Sequence, residues 1–308
     1  MSSTGYPPGS IVAVKSWSAI RSRCADYLEL SKPRITIMAL VAVTVGFALA
    51  GEGTWRSILW MQSIAGIGLV AIGCSALNQW VERHTDVFMH RTRTRPLPSG
   101  RLTSAEVLAF GLCAAAGGIA ELWLLVNPLT AGLSLFTVLM YVLVYTPMKR
   151  KTAFCTVMGA IPGALPPVLG WTAGGGALDQ AAFSLFAFLF LWQFPHFLAI
   201  AWLHREDYRR AGLRMLPANS DRPAFIGAIA TLYAVVLLPV SLLPAECALA
   251  GRMYLLTALV FGIGYVAFSF RFAWKESVSA ARGLLWYSLL YLPVMFLALL
   301  GDHVQLLR

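Results

Sequence analysis

Asn78, Glu82 and Asp86 stand at i, i+4 and i+8 within NQWVERHTDVFMHRTRTRPLPSG, the stretch from Asn78 to Gly100. If a helix runs through Asp86, all three oxygen-bearing groups line one of its faces. Such a face can hold Mg²⁺, which takes octahedral oxygen ligands and binds through a few carboxylates together with substrate phosphates. Arg91, Arg93 and Arg95 follow within one short loop. Guanidinium grips phosphate in a bidentate way, so arginines beside a metal-ligand face suit a diphosphate. The N-x₃-E-x₃-D spacing fits a solvated helix end with incidental salt bridges equally well. His84 and His90 in the same polar loop are expected in solvent.

A second stretch shifts the balance. PHFLAIAWLHREDYRRAGLRMLP, Pro195 to Pro217, also runs out of an apolar segment into acids and bases: His204, Glu206 and Asp207, then Arg209, Arg210 and Arg214. The chain has only fourteen acids, and four of them sit in these two motifs. Two acidic edges facing one cavity could hold metal and clamp a diphosphate between them. Lys149 and Arg150 of YTPMKRKT would add charge to the same rim. A prenyl diphosphate, with a polar head and an oily tail, matches such a site. Metal and arginines would stabilise the leaving diphosphate as the carbon–oxygen bond ionises, and the allylic cation would need an electron-rich acceptor and exclusion of water.

The elements that carry these groups are membrane helices. Hydrophobic residues make up 58% of the 308-residue chain and charged residues 12%, against roughly 25% charged in soluble domains. The formal net charge of +10 would suggest nucleic acid in a soluble protein; here it marks the loops of a polytopic protein. Nine segments have the roughly 20 apolar residues that a crossing needs: 34–51, 57–81, 105–124, 128–147, 153–173, 181–203, 224–245, 252–270 and 283–301. With these nine, 21 of the 24 Lys/Arg fall on one side and only Arg56, Arg252 and Arg308 on the other. The bias places the N-terminus and both motif-bearing loops in the cytoplasm. Trp55, Trp60, Trp80, Trp123, Tyr145, Trp171 and Trp202 are expected in the interfacial belt, and Glu121 at an outer edge.

The fifth segment contains GAIPGALPPVLGW, and its prolines predict a kinked or broken helix; Pro195 predicts a bend in the sixth. Such bends are tolerated where neighbours or a cavity satisfy the freed backbone groups. No linker divides the chain, which reads as a cytoplasmic segment over 1–33 and one intramembrane domain over 34–308. The first 33 residues lack an apolar h-region, so no cleavable signal peptide is expected. Cys24, Cys74, Cys113, Cys155 and Cys247 have neither zinc-site nor disulfide spacing and read as small core residues.

On these motifs the chain resembles the intramembrane prenyltransferases of the UbiA superfamily. LSKPRI at Leu30–Ile35, the run from Asn78 to Leu102, YTPMKRKT, GAIPGALPPVLGW and PHF…DY…AG…MLP resemble the haem branch and not the quinone branch. The resemblance implies an all-α polytopic membrane protein, with nine transmembrane helices around a central cavity open to the cytoplasmic side. It implies Mg²⁺-dependent transfer of farnesyl from farnesyl diphosphate to a vinyl group of haem b. The expected location is a bacterial inner membrane, with a mitochondrial inner membrane as the alternative, and a haem A synthase or terminal oxidase assembly would take the product.

Carried over residue by residue, Asn78, Glu82 and Asp86 match the first metal motif, although Asp is more usual at the middle position. Asp207 matches the acid of the second motif, with Glu206 beside it. Arg91, Arg95, Lys149 and Arg150 match diphosphate-binding positions. His204 stands where an acid is usual in quinone enzymes, which leaves the second metal site incomplete. Cys155 stands near an asparagine of the haem branch. His196, in the PH motif, reads as a helix–helix hydrogen bond, an axial ligand to haem iron or a base. A quinone- or chlorophyll-type acceptor and a transporter are the competing readings. Both acidic clusters lie at one membrane edge, which favours interfacial chemistry over alternating access.

Overall fold

The computed structural model describes residues 9–51, 57–217 and 222–306, which are helical with no strand among them. Trp55, Arg56 and Arg308, used above for the topology, lie outside the described residues. Helix α1 (Gly9–Leu30) is joined by Ser31 and Lys32 to α2 (Pro33–Ala50). Next come α3 (Ile58–Asp86) and α4 (Ser104–Leu125). The α4 start is capped reciprocally: Thr103 accepts from the Glu106 amide, and Glu106 accepts from the Thr103 amide. Helix α5 (Pro128–Leu139) passes through a π-helical segment (Met140–Tyr145) into α6 (Thr146–Met148). Then follow α7 (Cys155–Ala164), α8 (Pro166–Ala173), α9 (Gln180–Leu203), α10 (Arg205–Arg210), α11 (Phe225–Val240), α12 (Leu243–Glu246), α13 (Arg252–Lys275) and α14 (Val278–Leu306).

Eight helical stretches among the described residues are long and apolar enough to cross a membrane: α2, α3, α4, α5 through α6, α9, α11 through α12, α13 and α14. The segment expected as a kinked or broken fifth span forms two short helices meeting at Leu165, each too short to cross a membrane alone. Pro166 and Pro167 lack the amide hydrogens that would continue the ladder. Several helices outrun their apolar segments, because a hydropathy reading stops at the membrane edge while the helix continues into polar sequence. Helix α3 matters most. Its 29 residues span about 43 Å at 1.5 Å per residue, beyond a hydrocarbon core of about 30 Å. The last turns, which carry Glu82 and Asp86, therefore reach the polar edge.

Lipid supplies no hydrophobic drive between helices, so close association rests on small residues that let backbones approach. A Cβ on Gly73 of α3 would lie 2.7 Å from the Ala115 amide nitrogen of α4, and one on Gly118 would lie 2.5 Å from the Gly66 carbonyl oxygen. The α2–α8 contact is tighter. A Cβ on Gly46 would come within 1.8 Å of the Pro167 carbonyl oxygen, and one on Gly170 within 1.9 Å of that of Val43. These contacts lock the broken α7–α8 segment into the bundle.

One minor expectation needs correction. Cys74 and Cys155 are buried, but Cys24 and Cys113 are exposed. Trp171 and Trp202 turn inward to the core: the Trp171 indole donates to the Ala177 carbonyl at 2.8 Å, and Trp202 packs edge-on against Phe272.

Candidate active site

Helix α3 continues through Asp86, so Asn78, Glu82 and Asp86 share one face, and all three are buried. Each meets a cation from a different part of the chain. Lys32 donates to Asn78 Oδ1 at 3.1 Å. Lys149 donates to Glu82 Oε1 at 2.6 Å. Arg95 donates to Asp86 Oδ2 at 2.7 Å. Three cations thus surround two carboxylates and an amide in a low-dielectric pocket. Burial, and next the Arg95 guanidinium, push the Lys32 ammonium down to about 7.

Local structure fixes each member. Lys32 occupies the left-handed region, with φ 48° and ψ 62°, just before Pro33 at the start of α2. That conformation is uncommon for a residue with a side chain, and the surroundings hold it. Gln79 donates to the Leu30 carbonyl at 2.8 Å, and the Thr36 hydroxyl donates to the Ser31 carbonyl at 2.9 Å. Arg95 is set by a tight loop in which the buried Thr92 hydroxyl donates to the Asp86 carbonyl at 2.9 Å. Lys149 ends α6 with its ammonium 4.3 Å from the Tyr145 ring centroid, within cation–π range.

The amide of Asn78 is oriented by its neighbours. The Thr146 hydroxyl donates to the Tyr141 carbonyl at 2.7 Å, across the π-helical segment, and its oxygen accepts from Asn78 Nδ2 at 3.1 Å. Asn78 Oδ1 is thereby turned toward Lys32 and the carboxylate side. Asp86 Oδ1 is buried and has no hydrogen-bond partner among the described residues. A buried carboxylate oxygen left unpaired is costly. Together with the all-oxygen donor set of Asn78, Glu82 and Asp86, it fits a hard divalent cation such as Mg²⁺.

The second motif is arranged differently. Glu206 is exposed and pairs with Arg209; Asp207 pairs with Arg210 at 2.9 Å. No set of three His, Cys, Asp or Glu residues among the described residues could hold a metal ion. The motif nevertheless meets the first. Met89 packs against Ala211 and Leu213, the Arg214 amide donates to the Lys149 carbonyl at 2.7 Å, and Cys155 Sγ lies 3.9 Å from Met215 Sδ. The three basic loops form one rim. Arg91 and Arg150 are exposed on it, as are His84 and His90. Burial, and next Arg91, hold the His204 imidazole below its ordinary range.

His196 lies elsewhere in the bundle. Its Nδ1 is 2.7 Å from Ser288 Oγ on α14, and its ring stacks on Trp192. No hydrogen bond, ion pair or ring contact among the described residues joins it to the α3 face. The sequence reading did not select Lys32 or Thr146 as site residues. Lys32 carried a signal, a basic residue directly before the proline that opens a membrane helix. Thr146 carried none.

Two cavities flank these elements. One of about 920 Å³ opens beside the rim, lined by Lys151, Trp202, Arg205, Arg209 and Arg214 among others. Another of about 270 Å³, mainly apolar, lies near Asp179. Neither is lined by a described residue of α3.

A family model described as the UbiA prenyltransferase family matches residues 39–300. A protoheme IX farnesyltransferase of Solibacter usitatus is 46% identical over 287 residues, covering 90% of this chain and 98% of that protein. Others from Koribacter versatilis and Myxococcus xanthus are each 41% identical, covering 92% and 91% of this chain and 95% of each of those proteins. Among solved structures, a digeranylgeranylglyceryl phosphate synthase superposes with a TM-score of 0.75 at 16% identity, covering 92% of this chain and 99% of that one. A UbiA homolog from Archaeoglobus fulgidus bound to GPP and Mg²⁺ gives 0.63 at 17%, covering 89% and 99%. The structural likeness supports the fold, and the family model and close relatives carry membership: this chain belongs to the UbiA prenyltransferase family.

Proposed function

We propose that the chain transfers a farnesyl group from farnesyl diphosphate to a vinyl group of haem b, giving haem O and diphosphate. The observation that carries this reading is the alignment of about nine-tenths of the chain with relatives named protoheme IX farnesyltransferase. The buried α3 face supplies the chemistry such a transfer needs. Asn78, Glu82 and Asp86, with Asp207 from the adjoining loop, would hold Mg²⁺, which would neutralise charge on the leaving diphosphate.

The chain's own cations do the rest at the head group. Lys32, Arg95 and Lys149 exchange their present side-chain partners for diphosphate oxygens. Arg91, Arg150 and Glu206, at the rim, are the first charges the head group meets. The carbon–oxygen bond of the donor breaks with its electron pair on diphosphate. The terminal vinyl carbon of the porphyrin attacks the allylic cation, and the cation left beside the ring takes up water and releases a proton. His196, the imidazole of the PH motif, serves the porphyrin as iron ligand or proton acceptor.

The same reading sets the topology. Helices α7 and α8 together make a broken fifth crossing, giving nine around a cavity open to the cytoplasmic side. The N-terminal segment up to residue 33 is cytoplasmic, in line with the 21 Lys/Arg on that side. The membrane is the plasma membrane of a bacterium, and a haem A synthase or terminal oxidase assembly receives the product. The test is incubation of detergent-solubilised protein with haem b, farnesyl diphosphate and Mg²⁺, followed by porphyrin mass. A hydroxyethylfarnesyl gain, lost with EDTA, is expected. Diphosphate release with a quinone-type acceptor and none with haem would overturn the assignment of the acceptor.

A further inference from the structure

The cavity of about 920 Å³ beside the rim has no α3 residue in its lining, and of its walls the mechanism above uses only Glu206. Its volume is in the range of small-molecule sites, about 300–1,000 Å³. One part of its wall is cationic: Lys151, Arg205, Arg209 and Arg214. Another is apolar or aromatic: Trp202, Leu213, Met215 and Leu216. Its two acids are already engaged. Glu276 accepts from the Ala224 amide at 2.9 Å, and Glu206 pairs with Arg209. Arg205 and Arg214 have no carboxylate partner among the described residues. Arg205 lies over the Trp202 ring at 4.2 Å and donates to the Trp202 carbonyl, while Arg214 donates to the Lys151 carbonyl at 3.2 Å. Arg205 is thus held by a backbone carbonyl and a ring, Arg214 by a backbone carbonyl alone, each with donors to spare.

We infer that this cavity docks the acceptor through its carboxylates: it takes a flat apolar molecule carrying two anionic groups, the dicarboxylate porphyrin of the proposed reaction. The inference rests on that reaction for the identity of the ligand and on the cavity for its chemistry. Arg205 and Arg214 pair with the two carboxylates, and the ring lies against Trp202, Leu213 and Leu216; His196 does not line this wall, so it meets the porphyrin only after the ring has moved inward from the docked position. The location suits delivery. Arg214 is bonded through its amide to the Lys149 carbonyl, and the Lys149 side chain reaches Glu82. The docking wall and the diphosphate-facing cluster therefore meet at one loop junction. An anionic phospholipid head group would satisfy the same guanidiniums, and the experiment separates the two sources.

The probe is zinc protoporphyrin IX and its dimethyl ester, titrated against the full-length protein in zwitterionic detergent. The diacid is expected to bind roughly tenfold or more tightly than the diester, since two charge-assisted hydrogen bonds are at stake. The double variant Arg205→Gln with Arg214→Gln is expected to lose that preference. In turnover assays it should raise the KM for haem and leave the KM for farnesyl diphosphate unchanged. Equal binding of diacid and diester by the unaltered protein, which needs no variant to fold, overturns the docking site. So does a preference that survives the double variant. Loss of diacid binding on adding phosphatidylglycerol vesicles, with none on adding phosphatidylcholine, assigns the cavity to lipid and overturns the proposal. Preferential diacid binding without any farnesylated haem product upholds the cavity and removes the proposed reaction instead.

Discussion

Thr146 accepts a hydrogen bond from Asn78 Nδ2 while its own hydroxyl is committed to the Tyr141 carbonyl, so the two residues fix which end of the Asn78 amide faces the acids. An unanchored amide could present nitrogen to a cation. Thr146→Val, which keeps shape and removes the hydroxyl, should raise the Mg²⁺ concentration for half-maximal activity about tenfold, the lower end of the usual effect of losing a second-shell partner. Thr146→Ser should stay near the unaltered value. A Mg²⁺ titration of activity checks both, and an unchanged requirement in the valine variant removes this role.

Glu82 and Lys149 form a buried ion pair. Removing one partner of such a pair costs about 3–5 kcal/mol, because the other charge is stranded. Lys149→Met should therefore lower thermal stability in detergent markedly. Adding Glu82→Gln should restore much of it without restoring activity. Thermal unfolding of the two variants side by side decides the matter.

Asp86 has one oxygen on Arg95 and one unpartnered. Asp86→Asn should abolish turnover while the protein remains inserted and folded. EDTA should abolish turnover of the unaltered protein, and Mg²⁺ should restore it. Mg²⁺-dependent turnover persisting in the variant would place the metal elsewhere.

The Ser288 hydroxyl donates to the Leu285 carbonyl at 2.6 Å, so its oxygen is left to accept from His196 Nδ1. In the neutral imidazole the proton then sits on Nδ1, and Nε2 carries the lone pair that an iron ligand or base requires. If His196 ligates haem iron, His196→Ala should change the absorption spectrum of bound haem and Ser288→Ala should shift it partly. Two unchanged spectra would leave His196 the helix–helix contact it makes here.

Gly170 lies against the backbone of α2, so Gly170→Ala forces α8 away from Val43. Overpacking of this kind costs about 1–3 kcal/mol. Gly132, in α5, has open space around its would-be Cβ, and Gly132→Ala should be neutral or stabilising by about 0.5–1 kcal/mol. Melting temperatures of the pair test whether close approach holds the broken segment in place.

Much of this protein is written locally. Apolar runs of membrane length located the helices that α2, α3, α4, α9, α11, α13 and α14 became. The i, i+4, i+8 spacing put Asn78, Glu82 and Asp86 on one face, because helical periodicity depends only on near neighbours. The prolines at 166 and 167 announced a break, since a missing amide hydrogen is a property of the residue itself. Pairings between distant residues could not be read this way. Lys149 and Arg150 are adjacent and chemically alike, yet one is buried on Glu82 and the other is exposed. Lys32 reaches Asn78 across 46 residues, and Lys149 reaches Glu82 across 67. Those meetings depend on how closely the helices approach at their glycines and on a strained turn before Pro33. Both are set by the packing of the whole bundle, which no local spacing records.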